Sequence, residues 1–425
     1  MKNNYKVLIF FIFIIQSAVF CPDTSGATPF AGGADVSWVT QMEANGKKFY
    51  NAAGTQMECM ALLKSLGMNS IRLRVWVNPS DGWCNSQDLL VKAIRANNLG
   101  MRIMIDFHYS DVWADPSHQT KPVAWTSLSF AELKTAVATH TTNVLNLLKT
   151  NGITPEWVQV GNETGDGFLW EDGRASKQMA NYAALTNAGY DAVKAVFPTT
   201  KVIVHVESGY DNSLFRWLFD GLKNNGAKWD VIGMSVYPSW YTTVNDWQNC
   251  NKDCLANMND MVSRYGKEVM IVECGMNWNT PETCKSFLTD LISRTQSVTG
   301  NKGLGVFYWE PECINSWNGY SLGAFDNNGK PESSLDAFNV LTDVSTQKMN
   351  TLSAYWNNQT KTIFFSEPVA TAVLYDINGK MVNEATNCTS LKPVSLSKGI
   401  YLIKVKELNT NKIQTIKNNF INLLR

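Results

Sequence analysis

Short apolar segments recur along most of this chain, each followed by a stretch with helical periodicity. That alternation limits the fold more than any other feature. Strands are predicted at Gly33 to Ser37, Ser70 to Val77, Arg102 to His108, Glu156 to Gly161, Lys201 to Val206, Val231 to Val236, Glu268 to Val272 and Leu304 to Trp309. Helices are predicted between them, among others at Met57 to Leu66, Ser86 to Asn97, Phe130 to Lys149, Ser176 to Phe197 and Pro281 to Thr295. Eight such repeats predict a parallel (β/α)8 (TIM) barrel over residues 28–341. A doubly wound open sheet is the competing architecture, but no Gly-rich phosphate loop follows the first strand.

In a barrel of this kind the chemistry sits at the carboxyl ends of the strands. Those ends carry Asp35, Arg74 and Trp76, Asp106 and His108, Asn162 and Glu163, His205 and Glu207, Tyr237, Glu273, and Trp309 and Glu310. Two of them stand out. Val158-Gln159-Val160 runs into Gly161-Asn162-Glu163, and Val269-Met270-Ile271-Val272 runs into Glu273. Two carboxyl groups at the same end of a parallel barrel are what glycosidic hydrolysis needs: one protonates the leaving oxygen, the other attacks or activates water. Glu163 is the acid/base candidate and Glu273 the nucleophile. Asn162 is placed to bond a sugar 2-hydroxyl. Tyr237 can donate to Glu273, and Arg74 is expected to hold that carboxylate ionised. Glu207, Glu310, Glu312, Asp106, Asp111 and Asp115 are competing carboxylates. Glu310 is the strongest rival, although a substrate hydrogen bond or a loop tie suits it better. Trp309 is read as the floor of a sugar subsite, with Trp113, Trp125, Trp240 and Trp278 as weaker stacking candidates. Asn162-Glu163-Thr164 also reads as a glycosylation sequon; a glycan there would block the site, so the match is taken as chance.

Composition supports a folded, exported polysaccharide-handling chain. Hydrophobic residues make up 44% and charged residues 17% of 425, and the chain holds 15 Trp and 14 Tyr, many beside polar residues and turns. Lys+Arg and Asp+Glu each number 37, so no basic excess draws nucleic acid or anionic lipid. The basic start Met1 to Lys6 and the apolar run Val7 to Ile15 read as a signal peptide over residues 1–27. Cys21 just after it is a candidate for lipidation and the sole membrane link considered. Cys250 and Cys254 form the easiest local disulfide pair. The four histidines show no ligand spacing beside a cysteine pair, so no metal is assigned. After residue 341 the texture changes. Residues 342–352 read as a linker and 353–425 as a small β-sandwich with a hairpin turn at Asn378-Gly379.

The segments Gly33-Ala34-Asp35-Val36-Ser37, Arg72-Leu73-Arg74-Val75-Trp76, Asp106-Phe107-His108-Tyr109-Ser110-Asp111 and Trp113-Ala114-Asp115-Pro116 resemble glycoside hydrolase family 53. So do Gly161-Asn162-Glu163, Gly233-Met234-Ser235-Val236-Tyr237-Pro238 and Tyr308-Trp309-Glu310-Pro311. The resemblance implies a retaining endo-β-1,4-galactanase with paired glutamates after strands 4 and 7, acting on the galactan of pectic arabinogalactan. It implies the same roles for Glu163 and Glu273. From their places at strand ends and turns, Arg74, Trp76, Asp106, His108, Trp125, Asn162, Tyr237, Trp278, Trp309 and Glu310 are expected to face the substrate. Glu273-Cys274-Gly275-Met276 departs from the family's usual Thr and Gly near that glutamate. Some family members hold structural calcium in a late loop; here Asp326-Asn327-Asn328-Gly329 reads as easily as a plain β-turn, and no cofactor is required. The tail, at Val373 to Lys380 and Gly399 to Leu402, resembles more loosely the C-terminal sorting modules of the type IX secretion route. A monomer is expected, at the cell surface or outside a bacterium. A related mannan- or glucan-cleaving enzyme and a non-catalytic glycan binder are the alternatives, and a binder has no need of two glutamates.

Overall fold

The computed structural model describes residues 29–244, 246–339, 354–357, 362–376, 380–393, 401–407 and 413–418. The expected signal peptide with Cys21, the linker at 342–352 and the Asn378-Gly379 turn lie outside the described residues. Eight parallel strands close into a barrel: β1 (Ala31–Asp35), β2 (Ser70–Val75), β3 (Arg102–Phe107), β4 (Trp157–Val160), β5 (Lys201–Val206), β6 (Val231–Val236), β7 (Glu268–Cys274) and β8 (Gly303–Trp309). Each is hydrogen-bonded to its sequence neighbours, and β8 pairs with β1. The helices Ser86–Asn98, Phe130–Thr150, Ala175–Val196, Asn212–Asn224 and Trp247–Tyr265 follow the second to the sixth strand. Their ends follow local rules. Ser129 and Glu132 form a capping box at the start of Phe130–Thr150, and Gly266 ends Trp247–Tyr265 at φ 67, a conformation that glycine adopts at no steric cost.

The strands are buried on both faces, as parallel barrel strands must be. What distinguishes them is how polarity runs along each one. Successive side chains alternate across a strand, and the interior set passes from apolar to polar toward the carboxyl end. Ala31, Met104, Trp157, Ile203, Val231, Met270, Val272 and Phe307 form one buried apolar cluster. Nearer the carboxyl ends, β2 to β7 carry Arg72, Asp106, Gln159, His205, Ser235 and Glu273 in turn, all buried. A dry plug therefore sits beneath a polar layer.

β7 breaks the alternation. Met234 pairs with Ile271, but Ser235 pairs with Glu273, so β7 carries one residue more than β6 over this stretch. This β-bulge lets Val272 join the apolar cluster while the adjacent Glu273 reaches the polar layer.

The described residues divide into two compact units. The first comprises residues up to Thr40, Asn69–Gly275 and Asp290–Glu310, and it contains all eight barrel strands. The second comprises Gln41–Met68, Met276–Thr289 and residues from Pro311 onward. In the second unit Asp326 accepts hydrogen bonds from the backbone N–H groups of Asn328 and Lys330, at 2.9 and 2.8 Å, and Gly329 has φ 78. Those two bonds close an Asx-type turn.

The C-terminal β-structure is antiparallel, with strands β9 (Ala354–Asn357), β10 (Thr362–Asp376), β11 (Met381–Leu391), β12 (Tyr401–Glu407) and β13 (Ile413–Asn418). β10 pairs with β9, β11 and β12, and β13 pairs with β12. Its core is Ile363, Phe365, Val369, Ala372, Leu374, Leu391, Tyr401, Ile403 and Val405. The sequence suggested two separate strands, 361–365 and 372–376. They run as one because Ser366-Glu367-Pro368 is absorbed at an irregularity between Phe364 and Val369, where a proline costs no ladder bond.

Gly33 shows how tightly the barrel is filled. A Cβ there would lie 2.4 Å from the Phe307 ring and 2.8 Å from the Ser70 carbonyl oxygen. Gly33→Ala is expected to lower stability by about 1–3 kcal/mol, read as a lower urea midpoint, with part of the loss recovered by Phe307→Leu. An unchanged midpoint would show that the plug yields.

Candidate active site

Arg72 is the centre of the polar layer. It is 1% exposed, and each of its three nitrogens is engaged. Nε donates to Gln159 Oε1 at 2.7 Å, Nη1 to Asp35 Oδ2 at 2.7 Å, and Nη2 to Asp106 Oδ2 at 2.9 Å and Asn162 Oδ1 at 2.8 Å. Nη1 also lies 3.2 Å from Glu273 Oε2. A buried cation is stable only with such a set of partners. Burial alone would favour the neutral guanidine; Asp106, Asp35 and Glu273 hold the proton on and raise the pKa. Asp106 is buried too, yet Arg72 and His108 keep its carboxyl below the ordinary range.

Arg74, two residues on, does not reach Glu273 as the sequence suggested. It pairs with Glu310, and its guanidinium lies 5.2, 5.4 and 4.3 Å from the ring centres of Trp38, Trp76 and Trp113. Nε and Nη2 make no hydrogen bond among the described residues; cation–π attraction to the indoles takes that place. Glu310 also accepts from the Trp38 backbone N–H. It is fully buried, so it ties this corner together and is no rival for the chemistry. Trp309 stands at 5.2 Å from Trp38 and 5.7 Å from Trp113, ring centre to ring centre.

The two candidate glutamates meet. Glu163, Glu273 and His205 each place one donor atom within 4.8 Å of the others. Carboxyl groups near 5–5.5 Å belong to retaining glycosidases and wider pairs to inverting ones. A metal would need a free imidazole nitrogen, and both nitrogens of His205 already have polar partners. Tyr237 donates its hydroxyl to Glu273 Oε1 at 2.7 Å, as expected. Ser235 donates to Glu163 Oε1 at 2.6 Å. Glu163 follows Gly161 in a left-handed backbone, with φ values of 47 and 90. Such strain at a non-glycine residue is common at functional positions.

Environment divides the pair's roles. Burial, the facing Glu273 and Glu207 push the Glu163 carboxyl well above the ordinary range, against Ser235 and Arg72. Burial also pushes Glu273 up, to about 7, but Arg72 and Tyr237 favour its ionised form. The shared proton therefore resides on Glu163. Glu207, bonded by the Gly165 N–H at 3.0 Å, is raised to about 7 chiefly by burial.

A cleft of ≈ 610 Å³ lies over Glu163, Glu207, Ser235 and Tyr237, flanked by Trp240 and the Asp115–His118 loop. Trp240 is 64% exposed, a free aromatic face beside Tyr237 at 4.6 Å.

The remaining sequence candidates divide into scaffold and outliers. His108 bridges Asp106, the Trp76 indole N–H and the Ala114 backbone N–H. Asn162 donates one amide hydrogen to the Ala114 carbonyl, is 6% exposed, and keeps a second hydrogen for a ligand. Trp125 packs on Tyr109 and His140 in a separate groove with Val77 and Glu132, so it does not line the cleft. Trp278 belongs to the second unit, its backbone N–H donating to the Ser321 carbonyl. Cys250 and Cys254 are separate buried thiols within one helix. The sequence reading passed over Arg72 and Ser235. Both sit one pleat period below residues it did select, and that spacing was the available signal.

A parallel (β/α)8 barrel that brings two carboxylates together at its strand ends defines a glycoside hydrolase. Residues 31–383 match the model of glycosyl hydrolase family 53, and the chain belongs to that family. Residues 357–418 match a secretion system C-terminal sorting domain, which marks the chain for export. An arabinogalactan endo-β-1,4-galactanase of Thermothelomyces thermophilus is 32% identical over 72% of this chain and 98% of its own length. A solved structure of fungal β-1,4-galactanases is 30% identical with TM-score 0.68, covering 73% of this chain and 99% of that one. The family 53 catalytic domain of Ignisphaera aggregans is 31% identical with TM-score 0.67, covering 75% and 98%.

Two stability outcomes follow. Arg72→Met strands Asp35 and Asp106 without their cation and should cost about 3–5 kcal/mol, read as a collapsed urea midpoint. For Glu163 the sign is opposite. Its folded pKa is raised, so the native state holds a proton that the unfolded chain releases near 4.5, and stability falls as pH rises through that window. Glu163→Gln should therefore be more stable than the wild type, by a margin that grows from about pH 4.5 upward. A constant margin between about pH 4 and pH 8 would refute the shift.

Proposed function

We propose that this chain is an exported endo-acting hydrolase of β-1,4-galactan, with Glu273 as nucleophile and Glu163 as acid/base. The observation that carries the reading is the pair itself: one oxygen of each carboxyl group lies within 4.8 Å of the other, Arg72 and Tyr237 favour the ionised form of Glu273, and burial and its neighbour's charge favour the protonated form of Glu163. Glu273 attacks the anomeric carbon while Glu163 protonates the departing oxygen. Glu163, now ionised, takes a proton from water, which releases the sugar from Glu273 with retained configuration. The second amide hydrogen of Asn162 serves the sugar 2-hydroxyl, where a bond that strengthens in the transition state lowers the barrier. Trp240 and Trp309 supply stacking faces. The chemistry requires no cofactor, and no calcium is assigned to the Asp326 turn.

The substrate choice rests on family membership and on the galactanase relatives. We further assign residues 28–341 to catalysis and the tail to sorting on the route to the cell surface or medium, the enzyme working as a monomer. Cys21 remains the candidate lipid anchor.

Activity on purified β-1,4-galactan tests the reading. The wild type should release short galacto-oligosaccharides, and Glu163→Ala and Glu273→Ala should each lose about 10²–10⁴-fold or more. Intact galactan with cleaved mannan or glucan would move the substrate, and a fully active glutamate variant would pass that role to Glu207. Tyr237→Phe removes a hydrogen bond to a charged group, worth about 1.5–3 kcal/mol. It should raise the acid limb of the kcat/KM profile, because Glu273 then ionises only at higher pH.

A further inference from the structure

Glu163 has two carboxyl oxygens, and only a proton on the one facing the glycosidic oxygen is useful. A chain of hydrogen bonds settles which one that is. Arg72 Nε donates to Gln159 Oε1 at 2.7 Å, which fixes the orientation of that amide. Gln159 Nε2 then points to Asp106 Oδ1 at 3.1 Å and to His205 Nδ1 at 3.0 Å. The backbone N–H of Glu163 also donates to His205 Nδ1, at 3.3 Å. Two N–H groups converge on this nitrogen, so it carries a lone pair and the ring proton sits on Nε2. Asn162 Oδ1, 3.0 Å from the same nitrogen, is held by Arg72 and is the one acceptor on that side among the described residues. The other tautomer would satisfy it at the expense of both donors. His205 Nε2–H thus donates to Ser235 Oγ at 2.8 Å, and the Ser235 hydroxyl has its hydrogen left for Glu163 Oε1 at 2.6 Å.

We propose that His205 and Ser235 are positioning residues that keep Glu163 Oε1 permanently an acceptor, so that the acid proton is carried and delivered by Oε2. The proposal rests on the acid/base role given to Glu163 above. No proton travels along the chain. Oε2 gives its proton to the leaving oxygen and regains one from water, while Ser235 donates to Oε1 throughout. The arrangement also supports the carboxylate formed midway, since a hydroxyl donor favours the ionised form. His205 suits the task because it is fully buried and held neutral by burial and by Arg72, so its tautomer does not change over the working range. The charged and titratable groups around the relay are Arg72 from β2, Asp106 and His108 from β3, Glu207 after β5, and Glu273 from β7.

Two measurements test it on the full chain. Nitrogen-15 NMR, with His205 assigned by comparison with His205→Gln, should show a neutral ring protonated at Nε2; a ring protonated at Nδ1 overturns the proposal whatever the activity data say. The pH profile of kcat/KM on galactan should then show the alkaline limb of Ser235→Ala moved up by about one pH unit, with Ser235→Thr, which keeps the hydroxyl, restoring the wild-type limb. A uniform loss of rate at every pH in Ser235→Ala would reduce Ser235 to packing and sink the relay. If Glu163→Gln keeps full activity, the acid/base assignment itself fails, which is a separate result. If Ser235→Thr folds poorly, the tautomer and the alanine profile still decide.

Discussion

A guanidinium sealed inside a barrel cannot remain charged without carboxylates around it, and a ring of carboxylates cannot remain ionised without the guanidinium. Arg72 and its partners are that mutual dependence. Asp35, Asp106 and Glu273 come from three different strands, so the ion cluster also ties β1, β3 and β7 to β2. Through Gln159 and Asn162 the same cation sets the hydrogen-bond directions of the layer. Remove it and the site loses its charge balance and its geometry together. The charge on Glu273 and the setting of Glu163 thus trace to a single side chain that is shut off from solvent.

The asymmetry between the two glutamates follows from where each leaves its strand. Glu273 stays within β7, against Arg72 and Tyr237, so its negative charge has local support. Glu163 stands past the end of β4, on a left-handed backbone with Ser235 as its polar neighbour and Glu207 close by. Burial acts on both in the same direction, and the neighbours decide which one yields its proton. The aromatic corner around Arg74 is a separate structure. There a second buried cation is balanced by Glu310 and three indoles, with Trp309 against two of them.

Much of this was legible in the sequence because barrel strands announce themselves. Apolar runs such as Val231 to Val236 match the observed limits, and the strand-end glutamates are where a barrel places its chemistry. Pairing partners were less legible. Arg72 and Arg74 share one face of β2, and nothing in the one-dimensional pattern says which is nearer to Glu273; the height of each along the barrel decides. Trp125 looked like a sugar platform from its polar neighbours, but a turn at Val123–Trp125 folds it onto Tyr109 and His140. Ser235 in Met234-Ser235-Val236 reads as a small strand residue, and its bonds to Glu163 and His205 emerge only when the barrel sets β6 beside β5. Local propensity is written along the chain, whereas these contacts depend on which strand stands beside which.

The extra residue in β7 has a consequence for how such a site can change over time. A strand without the bulge has two phases, and moving between them turns every side chain over at once. The slip at Val272 divides β7 into two segments whose phases are set independently. The lower one answers to the apolar plug and the upper one to the chemistry. Substitutions that refill the plug can therefore accumulate without turning Glu273 away from its partners, whereas loss of a single codon here would bring the two segments back into one phase and take Glu273 out of the polar layer with the barrel otherwise whole.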